Sequence, residues 1–457
     1  MTMQIKRFLP SIFCLLFFPV LINAQVTTSS ITGFVKTDNG TPLEGASITA
    51  IQLPSGTKYV TISGKDGNFT IPNTRIGGPY QITGDFVGYT PQTINNVTLI
   101  LGEPFNTDIT LAAKSSVLNE VTITAATRGR TRAKTAASTV FDSRQITTMP
   151  SITRSITDFT RLTPQASSGN SFAGRDGRFN NLQIDGANLN NNFGLTTDPQ
   201  PGGGANPISL DAFDEISVNI APYDVRQSGF TDAGLNVLTK SGTNTFHGTA
   251  YGFYRDQSFN GKKVGDKVLT QTPQKTKIYG ASLEGPIIKN KLFFFINAEW
   301  ENSSQPSSNT FFPAGSSSSG TVSAAPKDSL DKFHDVLKSK YGYEAGVYDN
   351  RPNFVTKNRK LLGKINWNIS NIHKLILKYS DFKGSDVNPL NGSSVPNSGA
   401  GGFVIRGQDV TKPISRLPNN RNSDQSIGFS NSDYGTDHIV KTASLELNSN
   451  FNSKISN

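Results

Sequence analysis

The pattern of apolar and polar residues changes three times along the chain. Over 29–111, short apolar runs alternate with Asn- and Gly-containing turns, such as 38–40 and 65–67. Turns at this regular spacing, where Gly and Asn can adopt positive φ, predict a small β-sandwich. Its strands are expected at 31–35, 47–51, 68–71 and 80–83.

The second segment mixes helical and strand patterns. Residues 151–163 lie between two prolines and repeat apolar residues at spacings of four and three, which predicts an amphipathic helix. Its apolar face would contain Ile152, Ile156, Phe159 and Leu162. Strands are expected at 182–184, 215–220 and 235–239. These elements predict a small α+β domain over 136–245.

The third segment consists of two-sided strands separated by long polar stretches. Apolar and polar residues alternate over 247–254, 277–284, 291–300, 360–369, 374–380 and 442–451. Strands of about 9–11 residues with aromatic ends are typical of a membrane barrel, although a soluble sandwich would also alternate. A helix is expected over 328–340, within the polar stretch 301–350. The predicted fold class is mainly β: an N-terminal sandwich, a small α+β domain and the start of a transmembrane antiparallel β-barrel.

The N-terminus predicts export. Lys6 and Arg7 precede an apolar run over 8–22, which is too short to span a bilayer as a helix, and Ala24 completes a small-residue cleavage site. Residues 1–24 are therefore expected to be a signal peptide. Cys14 is the only cysteine. The mature chain would lack disulfides, thiolate metal sites and cysteine nucleophiles.

Charge and histidine content argue against two function classes. The formal net charge is +10 and is spread along the chain. With an export signal, this charge indicates contact with outer-membrane lipid headgroups and not with nucleic acid. The four histidines, at 247, 334, 373 and 438, lack metal-ligand spacing. We therefore expect no metal, no cofactor and no enzymatic activity.

The N-terminal segment resembles a known module. Gly33 and Val35 match a G-x-V element, 40–46 matches G-x-P-L-x-G-A, 66–69 matches D-G-x-F, and 88–89 is Gly-Tyr. This series resembles the carboxypeptidase regulatory-like domain, which we assign to 25–112. The family's module carries no peptidase residues, so no catalysis is implied.

The middle segment resembles the plug of TonB-dependent outer-membrane receptors of the Oar-like type. Two motif blocks carry the resemblance, R-x-N-x-L-x-I-D-G and a later one ending in T-K-S-G. The matching residues are Arg178, Asn181 (or Asn180), Leu182, Ile184, Asp185, Gly186, Gly234, Asn236, Thr239 and Lys240. Ala233 stands where the family usually has glycine, which matters only if that position needs a positive φ. The resemblance implies a plug over 136–245 and the first strands and loops of an outer-membrane barrel over 246–457.

The linker over 113–135 contains a segment that resembles a TonB box. Its residues are Glu120, Val121, Thr122, Ile123, Thr124 and Ala125. An extended segment can add as a strand to a partner's sheet edge through main-chain hydrogen bonds. The alternative is that it forms the last strand of the sandwich.

The resemblance implies a receptor that takes up or senses a ligand with energy from the TonB complex. It places the N-terminal domain in the periplasm. The ligand class stays open between an oligosaccharide, a peptide and a chelate. Residues that either contact the ligand or form a solvated turn are Asn188, Asn190, Asn191 and Asn192. Asp185 is expected to pair with an arginine and lock the plug.

Two other functions fit the sequence. One is an outer-membrane adhesin or structural β-protein without transport, and the other is a secreted carbohydrate-binding β-sandwich protein. Six candidate barrel strands are fewer than the smallest single-chain barrels use. We therefore expect the sequence to be incomplete or the gene truncated.

Overall fold

The computed structural model describes residues 27–114, 121–124, 137–167, 171–190, 206–220, 231–268, 273–306, 311–315, 321–349, 351, 353–388 and 427–451. Most of its regular structure is β-strand, as the alternating patterns predict. The expected signal peptide lies outside these residues. Among them, no helix is both long enough and apolar enough to cross a membrane.

The N-terminal part is a two-sheet sandwich, which confirms the prediction. One sheet has the order β4-β1-β7 with β8 also on β1, and the other begins β3-β2-β5-β6. Buried residues such as Ile31, Ile48 and Tyr80 fill the space between them. The strands are β1 (Ser29–Thr37), β2 (Ser47–Gln52), β3 (Thr57–Ile62), β4 (Asn68–Thr74), β5 (Gly77–Asp85), β6 (Gln92–Leu99), β7 (Pro104–Asn106) and β8 (Ile109–Leu111).

Gly33 shows why the G-x-V element needs glycine. A Cβ on this residue would lie 1.6 Å from the carbonyl oxygen of Thr107. The Thr107 N–H donates to the Thr32 carbonyl oxygen at 2.9 Å, so the two backbones are held in contact. Glycine is therefore required here by close backbone approach.

A ninth strand, β9 (Val121–Thr124), extends the second sheet. It runs parallel to β6, with Val121 opposite Gln92 and Thr124 opposite Asn95. The sheet order is then β3-β2-β5-β6-β9. Of the two interpretations of the linker segment, the structure thus contains the last-strand arrangement.

The α+β domain is built on a mixed sheet of order β10-β13-β14-β11-β12. Leu182, Ile184, Ile216, Val218 and Val237 fill its core. Ala233 lies in a strand without a positive φ, so its departure from glycine is harmless. The elements are β10 (Ala137–Asp142), α1 (Ser143–Thr148), α2 (Thr157–Thr160), β11 (Asn181–Ile184), β12 (Ala187–Asn188), β13 (Phe213–Ile220) and β14 (Ala233–Thr239).

The predicted helix over 151–163 is wrong. Only α2 is α-helical there, and of the proposed apolar face Ile156 and Phe159 are buried while Ile152 and Leu162 are exposed. The Asp158 carboxylate accepts hydrogen bonds from Ser151 Oγ and from the N–H and Oγ1 of Thr153. These bonds hold the preceding residues in a loop and compete with helical turns.

Six of the remaining strands form an antiparallel sheet of order β15-β18-β19-β22-β23-β24. The described parts of the connections contain two small strand pairs and one α-helix, α3 (Lys327–Tyr341), which confirms the helix expected over 328–340. The strands are β15 (His247–Asp256), β16 (Lys263–Val264), β17 (Lys267–Val268), β18 (Lys275–Ile288), β19 (Leu292–Gln305), β20 (Phe311–Ala314), β21 (Thr321–Pro326), β22 (Phe354–Asn368), β23 (His373–Asn388) and β24 (Tyr434–Ser449).

The two faces of this sheet differ in polarity, as the alternation predicts. The outward face carries exposed apolar residues in register, for example Ile365 opposite Leu377 and Leu377 opposite Leu445. Tyr279 and Trp300 stack on the same face at 5.7 Å between ring centroids. The inward face carries charged and polar residues that are buried against the α+β domain, such as Glu299 and Lys378. This arrangement is typical of a sheet with lipid outside and a polar interior.

Candidate functional site

The I-D-G motif forms the tight turn between β11 and β12. Asp185 and Gly186 have φ values of 46° and 74°. Ile184 pairs with Ala187 across the turn. Asp-Gly is a favoured pair for two-residue turns that need positive φ at both positions. The turn places the Asp185 carboxylate between Thr239, at the end of β14, and the lysines Lys364 and Lys378 on the inward face of the barrel strands.

The Asp185 carboxylate is a buried anion with four donors. It accepts from the N–H of Thr239 at 2.8 Å and from Thr239 Oγ1 at 2.7 Å. Lys364 Nζ lies 3.4 Å from Oδ1, and Lys378 Nζ lies 3.1 Å from Oδ2. The expected arginine partner is therefore wrong, since two lysines occupy this place. Burial raises the pKa of Asp185, but the two ammonium groups and the Thr239 bonds outweigh it and lower the pKa to about 2.

Both lysines also bind main-chain oxygens of the α+β domain, which is the predicted plug. Lys364 Nζ donates to the Thr239 carbonyl at 3.0 Å, and Lys378 Nζ donates to the Ile184 carbonyl at 2.8 Å. The lysine side chains are only 6% and 1% exposed. The plug and the barrel wall are thus joined by a desolvated ion cluster in which every charge has partners.

The role of these lysines was not predicted from the sequence, although both lie in the alternating segments 360–369 and 374–380. Lys364 and Lys378 are direct register partners on β22 and β23. Like charges directly opposite each other destabilise a sheet unless an anion compensates them. A predicted strand register would therefore have signalled a missing carboxylate, and Asp185 supplies it.

A second polar cluster joins the plug to β15, β19 and β22. Ser209 Oγ and Tyr251 OH donate to Glu299 Oε2 at 2.7 and 2.6 Å, and Lys360 Nζ donates to Oε1 at 2.8 Å. Arg154 lies over the Tyr251 ring at 4.7 Å, with a guanidinium nitrogen 3.7 Å from Glu299. The Glu299 side chain is 1% exposed and that of Arg154 is 15% exposed, so the carboxylate is buried and the guanidinium lies nearer to solvent.

Other predicted plug residues have structural roles. Arg178 pairs with Asp176 at 3.1 Å on the surface, and Lys240 lies 3.8 Å from Asp211. In the plug sheet, Gly234 lies opposite Asn181, and Asn236 lies opposite Gln183.

The four asparagines proposed to contact ligand are only partly described. Asn190 Oδ1 accepts from the Leu182 N–H at 2.7 Å, and its amide donates to Asn181 at 2.7 Å. Asn190 therefore fixes the turn that follows β12. The exposed Asn188 accepts from Gln183 at 3.0 Å. Asn191 and Asn192 lie outside the described residues, so ligand contact stays a prediction for this stretch.

The TonB-box-like segment is described only at 121–124, with Glu120 and Ala125 outside the described residues. Its strand lies on the sandwich and makes its main-chain pairing with β6. The structure therefore places the predicted partner-binding segment on a sheet edge of its own chain.

The sandwich docks at the end of the barrel sheet that has short turns. There β18 passes to β19 through 289–291 and β22 to β23 through 369–372, whereas 306–353 and 389–433 connect strands at the opposite end. Asn368 Nδ2 donates to Thr57 Oγ1 at 2.9 Å, and Lys374 Nζ lies 3.9 Å from the centroid of the Tyr59 ring. Because outer-membrane barrels have short periplasmic turns, this position agrees with a periplasmic sandwich.

The sandwich also contacts the plug directly. Arg75 donates to the Ser241 carbonyl at 2.9 Å, and the Leu101 N–H donates to Glu215 Oε1 at 2.9 Å. Burial raises the pKa of Glu215 to about 8, since the one backbone donor offsets little and nearby carboxylates raise the pKa further. This contact is therefore between an amide and a carboxyl group that is protonated at neutral pH.

Two family models match the chain. A carboxypeptidase regulatory-like domain matches residues 30–112, and an outer membrane beta barrel domain matches residues 238–344. The chain is 30% identical over 152 residues to the TonB-dependent transporter Oar of Myxococcus xanthus, which covers 31% of this chain and 14% of that protein. The match thus spans about a seventh of the relative's length.

Two of the solved structures that the chain is similar to are an outer-membrane receptor and an outer-membrane transporter. The siderophore receptor PirA of Acinetobacter baumannii is 18% identical, with a TM-score of 0.36 over 55% of this chain and 32% of that one. The outer membrane transporter YddB of Escherichia coli is 14% identical, with a TM-score of 0.36 over 55% of this chain and 36% of that one.

Proposed function

We propose that this chain, an Oar-like TonB-dependent outer-membrane receptor, takes up or senses a ligand with energy delivered by TonB. The observation that carries the proposal is the buried contact between plug and wall. Asp185 with Lys364 and Lys378 holds the plug by charge, at 3.4 and 3.1 Å. A gate needs such a contact, which is stable at rest and separable under an external pull.

The chain's connectivity supports a route for that pull. The box-like segment at 121–124 is followed, after residues 125–136, by β10. β10 is an edge strand of the plug sheet, and among the described residues its only pairing partner is β13. Tension from the segment would therefore reach the plug first at an edge strand, which is held by main-chain pairing on one side of the sheet.

The direction of the pull favours stepwise opening. Asp142 lies opposite Glu215, which contacts the sandwich, so Ala137 lies at the far end of β10, opposite Ile220. A force toward the sandwich side acts on Ala137 first and separates the pairs one after another. Because such separation breaks one pair at a time, it needs less force than sliding the whole strand.

Deleting residues 120–125 from the full-length protein is expected to abolish crosslinking to TonB and ligand uptake. The reason is that the deletion removes the main-chain groups that would add to the sheet of TonB. In vivo crosslinking and uptake measurements test this prediction.

The matched control removes residues 128–133, which shortens the same linker equally and spares the segment. This control should retain crosslinking. Uptake that persists in the first deletion would contradict the proposed coupling, and an adhesin would show surface binding in both deletions without TonB.

A further inference from the structure

The outer edge of β6 is occupied by a segment of the same chain. An edge strand exposes unpaired N–H and C=O groups and accepts other extended segments. Here β9 satisfies them over four register pairs, from Gln92 with Val121 to Asn95 with Thr124. The sandwich therefore offers the segment the same kind of site that a sheet edge of TonB would offer.

The chain before β9 is tied next to the start of β6. The Thr90 N–H donates to the Ala112 carbonyl at 2.9 Å, and the Lys114 N–H donates to the Gly88 carbonyl at 3.0 Å. Only residues 115–120 separate this anchor from β9. A short tether of this kind gives an effective concentration on the order of millimolar, so pairing within the chain is favoured over a free segment.

The sandwich that holds β9 is itself fixed to the receptor. Arg75 binds the Ser241 carbonyl, Asn368 binds Thr57, and the Leu101 N–H binds Glu215. While β9 stays paired with β6, a pull on 121–124 is borne by this docked sandwich. The same pull can load β10 only after β9 has separated from β6.

We propose that the β6 edge is a resting site for the coupling segment, and that the β6–β9 pairing must open before TonB can move the plug. This inference rests on the proposed TonB coupling. While β9 is paired with β6, the sandwich bears the force. Once β9 has separated from β6, the force is transmitted to the plug.

A disulfide across the pairing tests this inference. Cys14 is the only cysteine and lies in the expected signal peptide, so the double variant Asn95→Cys/Thr124→Cys introduces a single pair of thiols. Neighbouring strands lie about 4.8 Å apart, within the Cα separations of about 4.4–6.8 Å that disulfides span. The pair should oxidise readily in the intact receptor.

The matched control is Asn95→Cys/Thr122→Cys, which is displaced by two residues along β9. That displacement raises the Cα separation to about 8 Å, beyond disulfide reach, so this pair should stay reduced. Equal oxidation of the two variants, or oxidation of neither, would overturn the resting site.

The mechanical part is measured by pulling single receptors in a supported bilayer with the periplasmic domain of TonB on the probe. The reduced Asn95→Cys/Thr124→Cys receptor should lengthen before TonB detaches, as plug strands unfold. The oxidised receptor should detach without that lengthening, and dithiothreitol should restore it. Equal lengthening of the reduced and oxidised receptors would overturn the claim that the β6–β9 pairing keeps force from the plug. Failure of TonB to capture even the reduced receptor would contradict the proposed coupling instead.

Discussion

Replacing Asp185 with Asn is expected to lower the free energy of unfolding of the plug by about 3–5 kcal/mol, because it removes one partner of a buried ion cluster. Lys364 and Lys378 would remain buried and directly opposite each other without a counter-charge. Asn tolerates the positive φ of 46° at this turn and can still accept from the Thr239 N–H. The loss therefore reports the charge and not the turn.

The measurement uses urea unfolding of the plug in the inserted receptor. Ala233 is fully buried in β14, so an Ala233→Cys reporter should react with maleimide only after the plug opens. Asp185→Asn should shift the labelling midpoint to lower urea. Asp176→Asn is the matched control, since its pair with Arg178 is exposed and exposed pairs contribute about 0–1 kcal/mol. Equal midpoints for the two variants would show that the cluster does not hold the plug.

Acid should weaken the same contact in the native chain. The Asp185 pKa is about 2 in the folded state, below its ordinary value of 3.8. The folded state therefore binds this proton less readily than the unfolded state does. The stabilisation of the fold by the ionised carboxylate is complete above pH 3.8 and is lost as the pH falls through about 2. A pKa shift of this size corresponds to about 2 kcal/mol in the free energy of unfolding. Protonation leaves the same two lysines without a counter-charge but only near pH 2, whereas Asp185→Asn does so at neutral pH.

The strands of this chain could be predicted because their periodicity reports burial on one face. Leu377 and Lys378 alternate in the sequence, and the structure places the first outward and the second inward. The short connection between β22 and β23 limits the register that places Lys364 opposite Lys378. Periodicity does not report which residue of another domain lies against them, so their contact with Asp185, which precedes Lys364 by 179 residues, was not predictable.

Local patterns failed where side chains bind the backbone. Residues 151–163 have helical spacing, but Asp158 accepts bonds from Ser151 and Thr153 and keeps that part of the chain in a loop. Arg154 then adopts a φ of 52° and reaches Tyr251 and Glu299. The loop thus contributes a contact with the wall that a regular helix would not place there.

The pattern at 121–124 is equally consistent with pairing to the β6 edge and with pairing to a sheet edge of TonB, because an extended segment can add to any free sheet edge.

Glu215→Gln is expected to remove a pH dependence from the docking of the sandwich on the plug. Glu215 is 5% exposed and its pKa is raised from 4.5 to about 8. The folded state therefore keeps a proton that the unfolded state releases, and stability falls as pH rises from about 4.5 to about 8. Above pH 8 the total loss in the free energy of unfolding approaches about 4–5 kcal/mol, since each pKa unit corresponds to about 1.36 kcal/mol.

Gln keeps the side-chain oxygen that accepts from Leu101 and cannot ionise, so docking should be equally firm at pH 6 and pH 8.5. Hydrogen exchange of the peptide containing Leu101, compared between wild type and variant at each pH, measures this difference without the intrinsic pH effect. Wild type should lose protection at pH 8.5 and the variant should retain it. Glu44→Gln, on an exposed residue of the same sandwich, should behave as wild type. If wild-type protection at pH 8.5 equals that of Glu215→Gln, then Glu215 is either ionised without penalty or already open to water. The Leu101 contact would then not hold the sandwich on the plug.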